Sequence, residues 1–182
     1  MKSLTLIFIV LLLCLPIFSS AQGALKPRTS PLSIATARYK NTYLKITYSQ
    51  PQKNGREIFG KLVPYDQVWR SGANEATEIT ITNDIVINAT TLKAGTYSLF
   101  TIPGKEKWTI IFNSDLGLWG SYNYNSKMDV MRFDVPVKSI PDNVVYEPFT
   151  IRIDQKTDTA DLFLLWDNIQ ISFAIKFNEP KS

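Results

Sequence analysis

Apolar and polar residues alternate with a period of two along most of this chain. The alternation is clearest over residues 169–177, and it recurs over residues 149–154, 131–137, 77–81 and 44–48. Successive side chains of a strand point to opposite faces of a sheet, so this period is typical of strands with one buried face. In the C-terminal strand we expect every second apolar residue to face the core.

Turn-forming pairs separate the predicted strands at short intervals. The pair Pro103-Gly104 joins residues 96–102 to residues 108–112, which predicts a hairpin in the middle of a sheet. Short strands at such spacing, without a helical pattern longer than one turn, indicate a single all-β domain, an antiparallel β-sandwich or partly open barrel. Pro64 is suited to open one short helical turn near residues 64–69.

The N-terminal residues have the pattern of a secretory signal peptide. Lys2 precedes an apolar run over residues 4–15, and small residues end at Ala21. The run is shorter than the roughly 20 apolar residues that a membrane helix needs. We therefore expect cleavage after Ala21, export to the periplasm or the extracellular space, and no membrane span in the mature chain.

The domain organisation follows from these boundaries. Residues 1–21 are predicted as the signal peptide, residues 22–31 as a flexible leader, residues 32–178 as the single β domain and residues 179–182 as a tail. Neither a domain-splitting linker nor an internal repeat interrupts the sequence of the β domain.

Composition excludes several classes of catalytic chemistry. The chain contains no histidine, and its one cysteine, Cys14, lies in the predicted signal peptide. Nucleophilic sites of the Ser-His-Asp and Cys-His types, and zinc sites built on histidine or cysteine, therefore have no residues to use. We predict no cofactor, no metal site and no catalytic residue, and we lean against an enzyme.

The charge pattern argues against nucleic acid as a partner. The chain has 20 lysines and arginines against 16 aspartates and glutamates. These cations are scattered singly, whereas a nucleic-acid surface needs them clustered to release several counterions. A small molecule or a glycan is the expected kind of partner, and the sequence does not specify an oligomeric state.

Two segments, residues 55–77 and 116–129, lack the strand pattern, and binding sites are commonly built on such loops. Both combine aromatic, charged and amide side chains. From them we select the ligand-binding candidates Arg56, Tyr65, Trp69, Arg70, Asn74, Glu75, Trp119 and Tyr122.

These candidates are costly to bury unless they satisfy one another, so we expect them to converge at one end of the sandwich. Arg70 or Arg56 should pair with Glu75 beside the ring of Trp69, with Trp119 and Tyr122 of the second segment nearby. Two interpretations stand for the tryptophans: a platform that stacks on a sugar, or plugs that close the end of the sandwich, which is the commoner role. The ion pair likewise either binds a ligand or pins the loop.

Three long motifs resemble a known family of exported bacterial proteins. They are GREIFGKLVPYDQVWRSGANEATEIT, LKAGTYSLFTIPGKEKWTIIFN and WGSYNYNSKMDVMRF. Together they resemble domain-of-unknown-function family 2911 (DUF2911) over residues 30–177. The resemblance implies a secreted, largely β domain from a bacterium, and it implies no activity, ligand or catalytic residue.

Three functions remain as hypotheses. The first is a non-catalytic binding or scaffold module of the bacterial envelope, with a glycan as one ligand class. The second is a glycosidase-like hydrolase that pairs Glu75 with Asp66 or Asp129, since two facing carboxylates carry glycoside hydrolysis. The third is a structural envelope protein without a small ligand.

The export prediction can be checked on the secreted protein. We expect its N-terminus at Gln22 or within a few residues of it, because the small residues before this position suit signal-peptide cleavage. Intact-mass spectrometry of the protein recovered from the producing cells would measure this. Recovery of a chain that retains Lys2 and the apolar run would contradict it.

Overall fold

The computed structural model describes residues 26–141 and 144–178. The predicted signal peptide, residues 22–25 of the leader, and the tail lie outside the described residues. The described residues form twelve strands: β1 (Leu32–Tyr39), β2 (Thr42–Ser49), β3 (Ala73–Ile81), β4 (Ile85–Ile87), β5 (Thr90–Leu92), β6 (Gly95–Ile102), β7 (Lys107–Asn113), β8 (Asp129–Pro136), β9 (Lys138–Ser139), β10 (Tyr146–Gln155), β11 (Thr159–Asp167) and β12 (Ile169–Phe177).

The strands form two antiparallel sheets. One has the order β1-β2-β3-β6-β7-β8, and the other has the order β10-β11-β12-β4-β5, with β9 paired to β12. The buried side chains of both sheets meet in one continuous apolar core. The protein is therefore an all-β sandwich, as predicted, and its sheets do not close into a barrel. No helix in the described part of the chain is long and apolar enough to cross a membrane.

Alternation along β12 gives the expected burial. Ile171 and Ile175 have no exposed surface and Phe173 is 8% exposed, whereas Ser172 is half-buried and Lys176 is exposed. The prediction for this strand is confirmed, because each second side chain enters the core.

The predicted hairpin is also confirmed. Strands β6 and β7 pair antiparallel, with Phe100 opposite Ile111, and each has a further neighbour on its other side. Both residues are fully buried on the outer face of their sheet, in a second small apolar cluster that includes Leu118 and Tyr124. The second irregular segment therefore covers the outside of this sheet.

The prediction of a helical turn near residues 64–69 is wrong, because these residues do not form one. The backbone there turns away from helical geometry at Asp66, whose φ is +59°. Trp69 then exchanges two backbone hydrogen bonds with Thr101 of β6, at 2.7 and 2.9 Å. Its amide is thus engaged by a neighbouring strand instead of a helical turn. Within the described residues, the one 3-10 turn is Ser126–Met128.

Replacing Phe173 with alanine should destabilise the fold by about 3–5 kcal/mol, because a large aromatic side chain is removed from the centre of the core. Its ring packs edge-on against Phe133 with centroids 5.3 Å apart. Denaturant unfolding measures the change. Lys176→Ala, on the exposed face of the same strand, is the control and should stay within about 0.5 kcal/mol of the parent. A loss below about 1 kcal/mol for Phe173→Ala would show that the strand is assigned to the wrong face.

Candidate functional site

The first irregular segment crosses one end of the sandwich from sheet to sheet. The residues between β2 and this segment run beside β10, where Lys53 donates its backbone N–H to Glu147 and Phe149 donates to Pro51. The segment reaches the other sheet at Trp69, which pairs with Thr101 of β6. Hydrogen bonds to both sheets thus hold this loop across the end of the core.

A cluster of five aromatic rings lies under the loop. Trp69 stacks on Trp166 with centroids 5.8 Å apart and planes at 16°, and it meets Phe149 and Trp108 edge-on at 5.0 and 6.0 Å. Phe59 packs edge-on against Trp69 at 6.3 Å. We call these five residues the end cluster. Trp69 is only 7% exposed, so it closes the end of the core and does not offer a face for a sugar.

The indole nitrogen of Trp69 fixes the next residues of the chain. Its Nε1 donates to the carbonyl of Gly72 at 3.1 Å. A Cβ at Gly72 would lie 2.9 Å from the Ser49 carbonyl, so a larger residue does not fit there. Ser71, which precedes Gly72, has φ +53°, and its hydroxyl donates to the hydroxyl of Thr101 at 3.2 Å. Arg70, beside this turn, lines the same cavity as Trp69 and Trp166.

A cavity of about 510 Å³ opens beside this turn. Its polar lining residues include Gln52, Asn54, Arg56, Gln67, Arg70 and Ser121. Its apolar lining residues include Leu62, Pro64 and Val68, and the buried Trp69 and Trp166 border it. The volume falls in the range of about 300–1,000 Å³ that small-molecule sites occupy.

The two arginines of the cavity differ in how they are held. Arg56 donates its Nε to the carbonyl of Lys53 at 2.9 Å and a terminal nitrogen to the carbonyl of Gln52. Among the described residues, no hydrogen bond or ion pair engages the Arg70 side chain, and its Nε is buried without a partner. Burial lowers the pKa of the Arg70 guanidinium below its ordinary value, and the nearby Tyr122 opposes this shift.

Glu75 does not pair with either of these arginines, so the predicted ion pair is wrong. Its carboxylate accepts from Arg28 at 2.8 Å and from Ser49 at 3.5 Å. The hydrogen bond from Arg28 is the main cause that holds the pKa of Glu75 below its usual value. The side chains of Arg28 and Glu75 are 53% and 41% exposed, so solvent screens the pair and its contribution to stability is small.

Trp119 also departs from the expected position. It is 59% exposed and lies on a smaller cavity of about 260 Å³ with Arg28, Thr29 and Asn74. Asn74 donates its side-chain amide to the carbonyl of Ser30 at 3.4 Å. Trp119 therefore does not share a wall with Trp69, although Thr29 lines both cavities.

The two candidate tyrosines lie outside the cavity wall. Tyr65 packs its ring over Gly60, and the ammonium of Lys105 lies 5.9 Å from the ring centroid. Tyr122 is 84% exposed beside Gly120. Of the eight candidates, Arg56, Trp69 and Arg70 share the main cavity, and the other five do not line it.

Carboxylates are placed differently from the predicted pair. Glu75 lines a third cavity, of about 200 Å³, with Glu78 and with neither Asp66 nor Asp129. Glu78 accepts the backbone N–H of Gly117 at 2.9 Å. The described residues contain no group of three or more acidic, histidine or cysteine side chains that could hold a metal ion.

Asp129 belongs to a separate network that ties down the second irregular segment. Its carboxylate accepts from Tyr124 at 2.7 Å, Arg132 at 2.8 Å and Asn113 at 2.8 Å. These three donors satisfy a carboxylate that is only 7% exposed. The network anchors the segment that contributes Ser121 to the main cavity.

Comparison with known proteins decides the family. The family model described as "Protein of unknown function (DUF2911)" matches residues 30–175, which is most of the chain. The chain belongs to the DUF2911 family. No curated protein and no solved structure matches it.

In this DUF2911 chain, the sequence pattern missed several polar residues of the cavity. Gln52 and Asn54 lie just before the first irregular segment, and Gln67 and Ser121 lie inside the two segments. Trp166 lies within β11, outside both irregular segments. The Asn54-Gly55 turn was a usable signal, since a tight turn after β2 begins the loop that crosses to the other sheet.

The stability of this DUF2911 protein should fall between about pH 10 and pH 12. Burial, and then the hydrogen bond to Asp129, raise the pKa of Tyr124 to about 12. The unfolded state ionises first, near about pH 10, so the stabilisation is complete below that pH and is lost as pH rises through the folded value.

Denaturant unfolding at a series of alkaline pH values tests this expectation. Tyr124→Phe should make the decline shallower, because the titrating hydroxyl is gone. Tyr122→Phe changes a tyrosine that is 84% exposed, and its profile should follow the parent. If the stability of Tyr124→Phe fell equally steeply between about pH 10 and pH 12, the loss could not be assigned to ionisation of Tyr124.

Proposed function

We propose that this protein is an exported, non-catalytic binding module of the bacterial envelope, and that it holds a small molecule in the main cavity. The observation that carries the proposal is the cavity of about 510 Å³ at the loop-covered end of the sandwich. Rigid apolar walls with a few convergent polar groups are typical of small-molecule sites.

The rigidity of the walls supports binding. Trp69 and Trp166 are almost fully buried at the border of the cavity, and each indole nitrogen is fixed, to Gly72 in the first case and to Glu147 at 3.1 Å in the second. A ligand that enters such a pre-formed cavity orders few side chains, which reduces the entropy lost on binding. The cavity is thus suited to a ligand of modest size and few contacts.

The hydrolase hypothesis has less support from the main cavity. The residues that line it include no aspartate or glutamate, whereas glycoside hydrolysis by the usual mechanism needs two carboxylates across the bond. Glu75 and Glu78 share the third cavity, but both carboxylates are already engaged, by Arg28 and by Gly117. Binding is therefore the function that we place first.

A glycan ligand remains a narrower version of this proposal. The platform expected from Trp69 is lost to the core, and Trp119 is the candidate tryptophan whose ring is 59% exposed. A sugar would therefore stack in the smaller cavity beside Asn74. The export and the bacterial source rest on the signal-peptide pattern and on the motifs of the family.

The four tryptophans provide an internal test. Trp69 and Trp166 line the main cavity, Trp119 lines the smaller one, and Trp108 lines neither. Their indole N–H signals in a two-dimensional NMR spectrum should respond separately to hexanol, hexanoate, hexyl phosphate, glucose and N-acetylglucosamine. We expect at least one of hexanol, hexanoate and hexyl phosphate to shift the Trp69 and Trp166 signals in a saturable way.

A variant that fills the cavity sharpens this test. Leu62 is 43% exposed on the cavity wall and Leu116 is 48% exposed outside it. Leu62→Tyr should raise the Kd by about tenfold or more, which corresponds to about 1.4 kcal/mol, while Leu116→Tyr should leave it unchanged. Saturable shifts confined to Trp119, or no shift with any compound, would overturn the assignment to the main cavity.

A further inference from the structure

We propose that the ligand of the main cavity is a small organic anion, whose carboxylate or phosphate group bonds to Arg70 and whose apolar part lies against Leu62, Pro64 and Val68 of the cavity. The proposal rests on the proposed function, since it names the ligand class of the same cavity. It follows from a half-buried cation that has no partner in the described residues.

Arg70 lacks the kind of partner that other buried charged groups of this protein have. Lys53 pairs with Asp167 at 2.5 Å where both are mostly buried, and Asp129 receives three donors. The Nε of Arg70 is buried without any acceptor in the described residues. No hydrogen bond within the described residues engages the terminal nitrogens of the same guanidinium either, and Arg70 lines the cavity. A half-buried charge that lacks a partner makes an acceptor from outside the chain favourable at these terminal nitrogens.

The surroundings of Arg70 favour an anion over a neutral acceptor. The cavity wall carries a second arginine, Arg56, and none of the residues that line it is acidic. The Nε and one terminal nitrogen of Arg56 already bond to backbone carbonyls, so it adds positive potential and fewer free donors. A guanidinium fork matches the two oxygens of a carboxylate or phosphate, and it stays charged at neutral pH.

Further donors and an apolar surface extend the site beyond the charged group. The amides of Gln52 and Gln67 and the hydroxyl of Ser121 line the same cavity. Leu62, Pro64 and Val68 offer accessible apolar area in the same cavity. A bare inorganic ion would leave that area unused, so the geometry points to an anion with an apolar body.

Matched compounds separate charge from shape. Hexanoate, hexyl phosphate and hexanol share one apolar chain and differ in the head group, and hexylammonium reverses the charge. Calorimetry and the indole signals of Trp69 and Trp166 measure each Kd. We expect hexanoate or hexyl phosphate to bind about tenfold or more tightly than hexanol, and hexylammonium to be weaker still. Inorganic phosphate should compete weakly, because it lacks the apolar part.

Variants at Arg70 test the residue itself. Arg70→Gln should weaken binding of the anionic compounds about tenfold or more and leave the Kd of hexanol nearly unchanged. Arg152→Gln is the control, because Arg152 lies on β10, does not line the cavity and is 44% exposed. The melting temperature of ligand-free Arg70→Gln should equal or exceed that of the parent, since an unpaired buried charge is removed.

The outcomes distinguish this inference from the function on which it rests. Equal Kd values for hexanol and hexanoate, with both shifting Trp69 and Trp166, would overturn the anion and leave a binding cavity. Unchanged binding of hexanoate in Arg70→Gln would do the same. Absence of any saturable shift from all the compounds would remove the proposed function as well. Preference for hexyl phosphate or for hexanoate identifies which anionic group the site takes.

Discussion

Burial of the Trp69 ring is the constraint on which the functional end of this protein depends. The ring fills the gap between the two sheets, stacked on Trp166 and edge-on to Phe149. Its indole N–H then has to find an acceptor inside the protein, and the Gly72 carbonyl supplies one at 3.1 Å. One side chain thus closes the core and fixes the direction of the chain that follows.

The position of Arg70 follows from that constraint. Trp69 points into the core and Ser71 takes a left-handed conformation, φ +53°, with its hydroxyl bonded to Thr101. Arg70 between them faces the cavity, on a turn whose neighbours cannot easily move. The packing that stabilises the sandwich therefore also holds Arg70 at the main cavity without a partner in the described residues. An unpaired cation at a cavity is the basis for the anionic ligand that we propose.

The strands could be predicted from the sequence because their information is local. Alternation in β12 reports directly which side chains enter the core, and the Pro103-Gly104 turn defines the β6–β7 hairpin. The order of strands is not local: β12 pairs with β4, which precedes it by more than eighty residues. The sequence pattern contains no sign of that pairing.

The site was only partly predictable for the same reason. Sequence spacing placed Glu75 near Arg70, but its partner is Arg28, 47 residues away, because the segment before β1 runs past the start of β3. Trp69 and Trp119 look equivalent as loop tryptophans. One is 7% exposed and the other 59%, and which of them fills the core depends on the space that Trp108 and Trp166 leave between the sheets.

The most direct test of the account is a crystal structure of the protein with hexanoate or hexyl phosphate bound. We expect the anionic group within hydrogen-bond distance of a terminal nitrogen of Arg70, with the Trp69 indole still donating to Gly72 and the alkyl chain against Leu62. An Arg70 side chain that turns out to solvent or pairs with a carboxylate of the chain, while the ligand sits elsewhere, would contradict the account.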